Sequence, residues 1–349
     1  MECGFRIFSQ LQPASMRQIS AALISLISLS TACTKTDDKA SAESAASVSD
    51  SSASSASGAG EAKLAVDGGE IWYKTSGTGP GLPVILLHGG PGFNSYYLKP
   101  LEALADERTV IRYDQLGSGK SGSLTDTTKM TIAHFVNELD SLRAHLGYDK
   151  FHIVGHSWGT MLGIEYYRAH PEHVASLTLA SAALDVPQWE RHAKALLRTM
   201  PDSIQRIVSD AEAARKFDSP SYQAAMSAFY DKYVWLRPDK PNLDSLMSQV
   251  NQTIYNYMEG PSEFTITGTL KGYNSTSFLK NVKVPTLFTV GDVDEADPVT
   301  IRKQAAMVPG GKVAVIPNAA HITTWDNPDA MIAAIRAHLR SADSVAVRK

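Results

Sequence analysis

The sequence predicts an α/β fold, in which helices flank a mostly parallel β-sheet and a helical cap is inserted. Apolar runs typical of buried strands, such as 84–87, 110–113 and 151–154, alternate along the chain with amphipathic helical patterns. This alternation favours a parallel sheet covered by helices. The predicted core comprises residues 62–184 and 272–345, which together are long enough to bury one large hydrophobic core.

The segment between the two parts of the core, residues 185–271, has a different pattern. Helical periodicity dominates it, and it contains no convincing strand pattern. The predicted helices cover residues 189–200, 203–216, 222–236 and 243–257. A helical insertion that follows a core strand is expected to form a cap that shapes a ligand pocket and excludes water from it.

Composition and charge exclude several classes of function. The 349-residue chain has a formal net charge of −3 and 43% hydrophobic residues, a balance that gives no reason to expect a nucleic-acid partner. The glycine-rich stretch 114–121 lacks both the Walker and the G-x-G-x-x-G pattern, so nucleotide binding is not expected. His152 and His156 are four residues apart on a strand and a turn, rather than on one helical face, so their spacing does not indicate a pair of metal ligands. We expect no metal and no cofactor.

Residues 155–159 read Gly-His-Ser-Trp-Gly, which is the G-x-S-x-G pattern of a nucleophile elbow. An apolar strand precedes the pattern and a helical pattern follows it, as the motif requires. The flanking glycines allow a tight turn without a Cβ clash. We therefore predict that Ser157 is a nucleophile whose hydroxyl points out of the sheet.

A second loop, His-Gly-Gly-Pro-Gly at residues 88–92, follows the strand 84–87. Adjacent glycines let backbone N–H groups approach a substrate closely. Together with the elbow, this loop predicts an oxyanion hole made by the main-chain N–H groups of Gly89 and Trp158, with Gly90 as a further candidate beside Gly89.

A serine nucleophile needs a base, and His321 is the histidine in the expected place. It follows the strand 313–316 near the C-terminus, and in folds with this elbow the order along the chain is serine, acid, histidine. The acid should lie after the preceding strand, where Asp292, Asp294 and Asp297 all occur. The spacing alone does not choose among them, because any well-placed carboxylate can orient the imidazole.

The order of these motifs resembles that of the proline iminopeptidases, which are serine peptidases of the α/β-hydrolase superfamily. The similarity rests on His-Gly-Gly-Pro-Gly at 88–92, Asp-Gln-Leu-Gly-Ser-Gly-Lys-Ser at 114–121, Gly-His-Ser-Trp-Gly at 155–159 and Gly-Pro-Ser-Glu-Phe-Thr-Ile-Thr-Gly-Thr-Leu at 260–270. The last stretch is similar to the branch that contains tricorn-interacting aminopeptidase and amino-acid amidases. The resemblance covers residues 61–340 and implies an α/β-hydrolase fold.

The resemblance also implies roles that spacing leaves open. It implies that Asp294 is the triad acid and that Tyr255 lies near the pocket. It implies in addition that Glu263 and Glu295 bind the free amine of the substrate. The chemistry agrees, because the α-amino group marks a chain end and two carboxylates can bind one ammonium through charge-assisted hydrogen bonds.

The expected function is therefore that of a serine aminopeptidase, which releases an N-terminal residue, proline among the candidates, from a short peptide through an acyl-enzyme. The alternative is an amidase or esterase that acts on small amino-acid amides or esters. A haloalkane dehalogenase or epoxide hydrolase would need aspartate in place of Ser157, and a non-catalytic binding protein would not need the whole triad. The preferred N-terminal residue and the oligomeric state stay open.

Residues 1–33 predict a signal peptide that ends in a lipoprotein-like box. Their apolar run is typical of a signal-peptide h-region and is too short to span a bilayer. The sequence Leu-Ser-Thr-Ala precedes Cys33, and small residues before a cysteine resemble a bacterial lipoprotein box. We expect lipidation of Cys33, export to the periplasmic side of a membrane or to the cell surface, and membrane attachment through this anchor alone. The sequence leaves open whether translation starts at Met1 or Met16.

Residues 34–61 are rich in serine and alanine and predict a flexible tether that spans on the order of 30 Å. The chain has two cysteines, Cys3 and Cys33, and both lie outside the predicted core. We therefore expect no disulfide in the core and no cysteine nucleophile.

Overall fold

The computed structural model describes residues 59–346. Eight strands form one sheet, namely β1 (Gly60–Val66), β2 (Gly69–Ser76), β3 (Gly81–Leu87), β4 (Arg108–Asp114), β5 (Phe151–His156), β6 (Val174–Ala180), β7 (Thr286–Gly291) and β8 (Lys312–Ile316). Their order across the sheet is β1-β2-β4-β3-β5-β6-β7-β8. Strand β2 is antiparallel to β1 and β4, and all other neighbours are parallel. The predicted α/β class with a mostly parallel sheet is confirmed.

Ten α-helices lie in the same described residues. They are α1 (Ile132–His145), α2 (Trp158–Ala169), α3 (Val186–Leu197), α4 (Asp202–Ala214), α5 (Pro220–Tyr233), α6 (Lys240–Met247), α7 (Gln252–Met258), α8 (Pro298–Met307), α9 (Thr323–Asp326) and α10 (Pro328–Ala346). None of them is both long enough and apolar enough to cross a membrane.

The sheet is buried on both faces. Successive side chains of a strand point to opposite sides, and in β3 the residues Ile85 and Leu87 belong to one apolar cluster while Val84 and Leu86 belong to another. The first cluster includes α1 and α2. The second includes α10 and the 3₁₀ helix Ser95–Asp106. Burial on both faces explains why the central strands read as continuous apolar runs.

Five helices, α3 to α7, lie between β6 and β7, in the segment predicted as a cap. Asp185 begins this segment as the N-cap of α3. The single helix predicted for residues 243–257 is wrong, because the structure has two helices there. The side chain of Asn251 accepts hydrogen bonds from the N–H groups of Thr253 and Ile254 and starts α7 as a new helix.

The N-terminal edge of the fold also differs from the prediction. Strands β1 and β2 form an antiparallel hairpin, and β1 begins at Gly60, two residues before the predicted start of the core. The sequence pattern did not identify either strand. The predicted signal peptide, Cys33 and the tether up to residue 58 lie outside the described residues.

Candidate active site

Ser157 lies at the sharp turn between β5 and α2. Its backbone angles, φ 54° and ψ −122°, lie outside the regions that residues with a Cβ usually adopt. The turn depends on glycine, because a Cβ on Gly155 would lie 2.2 Å from the carbonyl oxygen of Gly159, and a Cβ on Gly159 would lie 2.3 Å from that of Leu87. This strained geometry is that of a nucleophile elbow, and Ser157 lines a cavity.

His321 lies in the loop after β8, and its Nδ1 is 2.9 Å from Oδ1 of Asp294. The carboxylate of Asp294 also accepts hydrogen bonds from the hydroxyl of Ser181 at 2.6 Å and from the N–H of Ala296 at 2.7 Å. Burial raises the pKa of Asp294, but the charge of His321 and these hydrogen bonds outweigh burial and hold the pKa below its ordinary value. An ionised Asp294 can therefore hold the imidazole with Nε2 free to act as a base.

The other two candidate acids do not contact His321. Asp292 accepts hydrogen bonds from the backbone N–H groups of Asn318 and Ala319, at 2.9 and 3.1 Å. Asp297 is the N-cap of α8. Both carboxylates therefore organise loops, and Asp294 is the one that the fold places against the imidazole.

The geometry of the predicted oxyanion hole requires a correction. The N–H of Gly89 donates a hydrogen bond to the hydroxyl of Tyr97 at 2.6 Å, so this amide already has a partner inside the protein. Gly90 lines both cavities that touch Ser157, and its N–H is the better candidate. Trp158 is the first residue of α2, where the N–H has no partner within the helix. Its indole N–H donates to Gln115 Oε1 at 2.8 Å, which fixes the side chain.

A buried chain of hydrogen bonds connects the elbow to the histidine loop. Nε2 of His156 is 2.9 Å from the carbonyl oxygen of His321, and Nδ1 of His156 is 2.8 Å from the hydroxyl of Tyr97. A carbonyl only accepts, so Nε2 of His156 donates and Nδ1 accepts the proton of Tyr97. Burial, together with the nearby His321, lowers the pKa of His156 to about 3. His156 is therefore a neutral structural residue beside Ser157.

The remaining candidate residues are two glutamates, which line the cavity beside Ser157, and Tyr255, which contacts one of them. Glu263 and Glu295 line it together with Ser157 and His321. The hydroxyl of Tyr255 donates a hydrogen bond to Oε1 of Glu263 at 2.6 Å. None of the described residues that line this cavity is lysine or arginine.

Neither glutamate has a lysine or arginine partner at the cavity; Glu295 is buried and Glu263 is half-buried. Burial raises the pKa of Glu263, although the hydrogen bond from Tyr255 opposes this shift. Burial also raises the pKa of Glu295 well above its ordinary value, and the charges of Glu263 and Asp294 add to the effect. Oε1 of Glu295 is 3.8 Å from Nε2 of His321, and its Oε2 has no hydrogen-bond partner in the described structure. Such a cavity suits a ligand with a positive charge.

The cap contributes to the placement of these groups. The carbonyl oxygen of Tyr233, the last residue of α5, accepts hydrogen bonds from the N–H groups of Glu295 and His321, at 3.3 and 3.2 Å. One cap carbonyl thus holds the backbone of both the candidate base and a candidate amine-binding residue. We expect the cap and the site to move together.

Comparison with known proteins assigns the family. A family profile described as the alpha/beta hydrolase fold matches residues 83–328. The proline iminopeptidase of Heyndrickxia coagulans is 39% identical over 284 residues, which are 80% of this chain and 99% of that protein. The chain belongs to the proline iminopeptidase family. The proline iminopeptidase of Saccharolobus solfataricus is 31% identical over 268 residues, covering 76% of this chain and 86% of that protein.

Solved structures agree with this assignment. The crystal structure of the proline iminopeptidase of Mycobacterium smegmatis has a TM-score of 0.76 and 31% identity, covering 82% of this chain and 99% of that one. The crystal structure of VinJ has a TM-score of 0.77 and 30% identity, covering 81% and 98%. The resemblance noted from the motifs is thus confirmed at the level of the family and of the α/β-hydrolase fold.

The sequence pattern did not identify several residues that the structure places at the site. Tyr97 and Ser181 belong to no motif, and they reach Gly89 and Asp294 only through the fold. Ser181 has a weak local signal, since it follows β6 directly, at the edge of the sheet where the elbow also lies. Glu259 lies just before the predicted motif at 260–270 and lines a second cavity with Ser157.

Proposed function

We propose that this chain is a serine aminopeptidase that releases the N-terminal residue, proline included, from short peptides. The observation that carries the proposal is the pair Glu263 and Glu295, which line the same cavity as Ser157 and His321, with Glu295 only 1% exposed. Carboxylates buried without a counter-charge are unfavourable, and an ammonium group relieves this by charge-assisted hydrogen bonds to both. Membership in the proline iminopeptidase family supports the same activity.

In the proposed reaction, the hydroxyl of Ser157 attacks the carbonyl carbon of the first peptide bond. Nε2 of His321 takes the hydroxyl proton and then gives it to the leaving amine, while Asp294 orients the ring and stabilises the imidazolium. The N–H groups of Gly90 and Trp158 stabilise the oxyanion. Water then attacks the acyl-enzyme with His321 as the base, and the free amino acid leaves.

The glutamate pair gives this reaction its specificity for a chain end. When an ammonium group binds between Glu263 and Glu295, the carbonyl carbon of the same residue is near Ser157, because one cavity holds all three side chains. Only the first residue of a peptide has both a free α-amine and an adjacent peptide carbonyl. An internal peptide bond offers a neutral amide at the same place and leaves both carboxylates unpaired.

A peptide assay tests the proposed activity. The wild-type protein and the Ser157→Ala variant are incubated with a tripeptide that begins with proline and, separately, with prolinamide. We expect the wild type to release proline from the tripeptide and Ser157→Ala to release none. Hydrolysis of prolinamide but not of the tripeptide would favour the amidase alternative. Hydrolysis of p-nitrophenyl acetate alone would favour an esterase.

We also propose that the protein is exported and anchored by a lipid on Cys33. The support is the signal-peptide-like run of residues 1–33 and the Ser/Ala-rich tether that follows it. A single acyl chain binds membranes only marginally, so stable attachment needs the several chains of a bacterial lipoprotein. This proposal concerns residues outside the described structure and is independent of the proposed chemistry.

A further inference from the structure

Two buried side chains behind the cavities connect the two loops that supply the candidate oxyanion N–H groups. They are His88, which follows β3 directly, and Gln115, which follows β4 directly. His88 is fully buried and Gln115 is 1% exposed, and neither lines a cavity beside Ser157. Any effect that they have on the reaction therefore acts through other residues.

The side-chain amide of Gln115 has one consistent set of hydrogen bonds. Its Oε1 is 2.8 Å from the indole Nε1 of Trp158, and its Nε2 is 3.2 Å from the carbonyl oxygen of His88. An indole N–H only donates and a carbonyl only accepts, so the two partners fix both ends of the amide. Gln115 therefore ties the first residue of α2 to the loop 88–92.

The hydrogen bonds of the His88 ring define its protonation. Its Nε2 accepts a hydrogen bond from the backbone N–H of Gln115 at 3.0 Å, and its Nδ1 is 2.7 Å from the carbonyl oxygen of Gly89. Nδ1 thus carries the proton and donates to that carbonyl. Burial agrees with a neutral ring, because it lowers the pKa of His88, although the charge of Asp114 opposes this shift.

The bond from His88 holds the Gly89–Gly90 peptide in one orientation. This peptide is trans, so its C=O and N–H groups point in opposite directions. With the carbonyl of Gly89 held by the ring, the N–H of Gly90 points away from it, and this N–H has no acceptor among the described residues. The loop lies against the nucleophile, since a Cβ on Gly89 would lie 3.1 Å from the Cβ of Ser157.

The orientation of this peptide needs a partner because both of its residues are glycines. Glycine populates positive and negative φ about equally, and Gly90 has a φ of 116°. Without a partner for the carbonyl of Gly89, the peptide can turn its N–H away from the site. An oxyanion donor contributes most when it is already aimed at the position where charge develops.

We propose that His88 and Gln115 are positioning residues that preorganise the oxyanion hole. His88 holds the carbonyl of Gly89, so that the N–H of Gly90 faces the oxyanion. Gln115 fixes the tautomer of His88 and joins this loop to Trp158, which supplies the second N–H.

This inference rests on the proposed reaction, because it assumes that Ser157 forms a tetrahedral intermediate beside these N–H groups. It goes beyond that reaction by assigning a role to two residues that do not line the cavities. It also gives a function to the start of the glycine-rich stretch 114–121, which no step of the proposed reaction uses.

The test measures the inhibition constant of proline boronic acid, which keeps the free amine of proline, with prolyl p-nitroanilide as the substrate. The hydroxyl oxygen of Ser157 bonds to boron while its proton passes to His321, and an oxygen of the negatively charged tetrahedral boronate occupies the oxyanion position. Prolinol, which has the same amine but no electrophile, is the reference ligand. Inhibition constants do not depend on the fraction of active protein, so they report on the site rather than on the yield of folded enzyme.

The variant His88→Leu removes the donor to the carbonyl of Gly89. We expect the inhibition constant of the boronic acid to rise about 10- to 100-fold, less than the roughly 10²- to 10³-fold effect of deleting an oxyanion donor, because the N–H of Gly90 remains. The constant for prolinol should not change. His88→Asn should restore most of the affinity, because the amide nitrogen of asparagine lies as many bonds from Cα as Nδ1 does and can donate to the same carbonyl.

The matched control is His338→Leu, at another buried histidine whose Nε2 is 3.1 Å from a backbone carbonyl oxygen, that of Leu177. This histidine lines neither cavity, and its variant should leave both constants unchanged. Gln115→Met keeps the backbone N–H and loses both side-chain hydrogen bonds. It should weaken the boronic acid about 3- to 10-fold without affecting prolinol.

The outcomes separate this inference from the proposed function. Variants at His88 and Gln115 that leave the boronic acid constant unchanged, or that weaken prolinol equally, would overturn the inference. Where His88→Leu does not fold, His88→Asn and Gln115→Met decide in the same way. A wild type that does not hydrolyse prolyl p-nitroanilide would overturn the proposed function. The same variants would then decide the inference through a lower kcat at unchanged KM for p-nitrophenyl acetate, which needs the same oxyanion N–H groups.

Discussion

The substitution Glu295→Gln tests the amine-binding role most sharply, because it keeps the size of the side chain and removes its charge. Glu295 is 1% exposed, and its Oε2 has no partner in the described structure. A substrate ammonium bound there therefore depends on the carboxylate. Removing one member of such a buried charged pair costs roughly 2–5 kcal/mol. At about 1.4 kcal/mol per tenfold change, kcat/KM for a free-amine anilide should fall some tens- to thousands-fold.

The assay measures kcat/KM for prolyl p-nitroanilide and for p-nitrophenyl acetate with each protein. The ester has no amine and needs only Ser157, His321 and the oxyanion N–H groups. Its rate therefore reports any indirect damage to His321, whose Nε2 is 3.8 Å from Oε1 of Glu295. We expect the loss on the anilide to exceed the loss on the ester by at least tenfold. The exposed Glu172→Gln variant controls for a general change in charge.

Equal losses on the anilide and on the ester would refute this reasoning. In that case Glu295 would act on His321 rather than on the substrate. A loss of less than about threefold on both substrates would show that the carboxylate has no part in either step.

Four further predictions concern the triad, pH and the N-terminus. Ser157→Ala and His321→Ala should each lower kcat by several orders of magnitude without unfolding the protein, since triad members act as a unit; steady-state kinetics and circular dichroism check this. Asp294→Asn should lower kcat by about 10⁴-fold. Asp292 accepts hydrogen bonds only from the N–H groups of Asn318 and Ala319, so Asp292→Asn should change kcat less than about tenfold. The reverse order of effects would mean that Asp292 is the acid. Burial raises the pKa of Glu263 and of Glu295, so both carboxyls become protonated at a higher pH than usual and then no longer bind the ammonium. The value of kcat/KM for a free-amine anilide should therefore fall more steeply towards acid pH than the value for the ester. Parallel acid limbs of the two pH profiles would contradict this. Cys33→Ser should release the protein from membranes or leave it unprocessed, and mass spectrometry that finds an unmodified Cys33 inside the mature chain would refute the anchor.

The fold could be predicted because the central strands are buried on both faces. Their side chains form continuous apolar runs, as in Val84 to Leu87, which stand out against the amphipathic helices. The hairpin of β1 and β2 lacks this signal, because β1 is largely exposed at the edge of the sheet. The break at Asn251 was missed because the apolar periodicity continues across it, while a single side-chain cap decides the local structure.

The candidate site was predictable where its residues belong to a local motif. Ser157 has its elbow, and His321 has a fixed place after the last strand. Asp294 and Asp292 are two residues apart, and only the fold shows which carboxylate faces the imidazole. The amide of Gly89 was misassigned because its partner, Tyr97, is a residue of a different element that no motif marks.

The remaining site residues could not be predicted from the sequence, because they meet through contacts between residues far apart in the chain. His156 reaches the carbonyl of His321, and Ser181 reaches Asp294, across more than a hundred residues of chain. The pairing of such residues depends on the order of the strands, which the sequence pattern does not encode. Glu259 illustrates the same limit, since an isolated glutamate next to a motif looks like a surface residue until its burial is known.

The central claim is that the protein recognises a free α-amine next to the bond it hydrolyses. The most direct measurement is the ratio of kcat/KM for prolyl p-nitroanilide to that for N-acetylprolyl p-nitroanilide with the wild-type protein. Acetylation removes the charge that Glu263 and Glu295 are proposed to bind and leaves the scissile bond unchanged. We predict that the free-amine substrate is preferred by some tens- to thousands-fold. Equal rates on the two substrates would contradict the account.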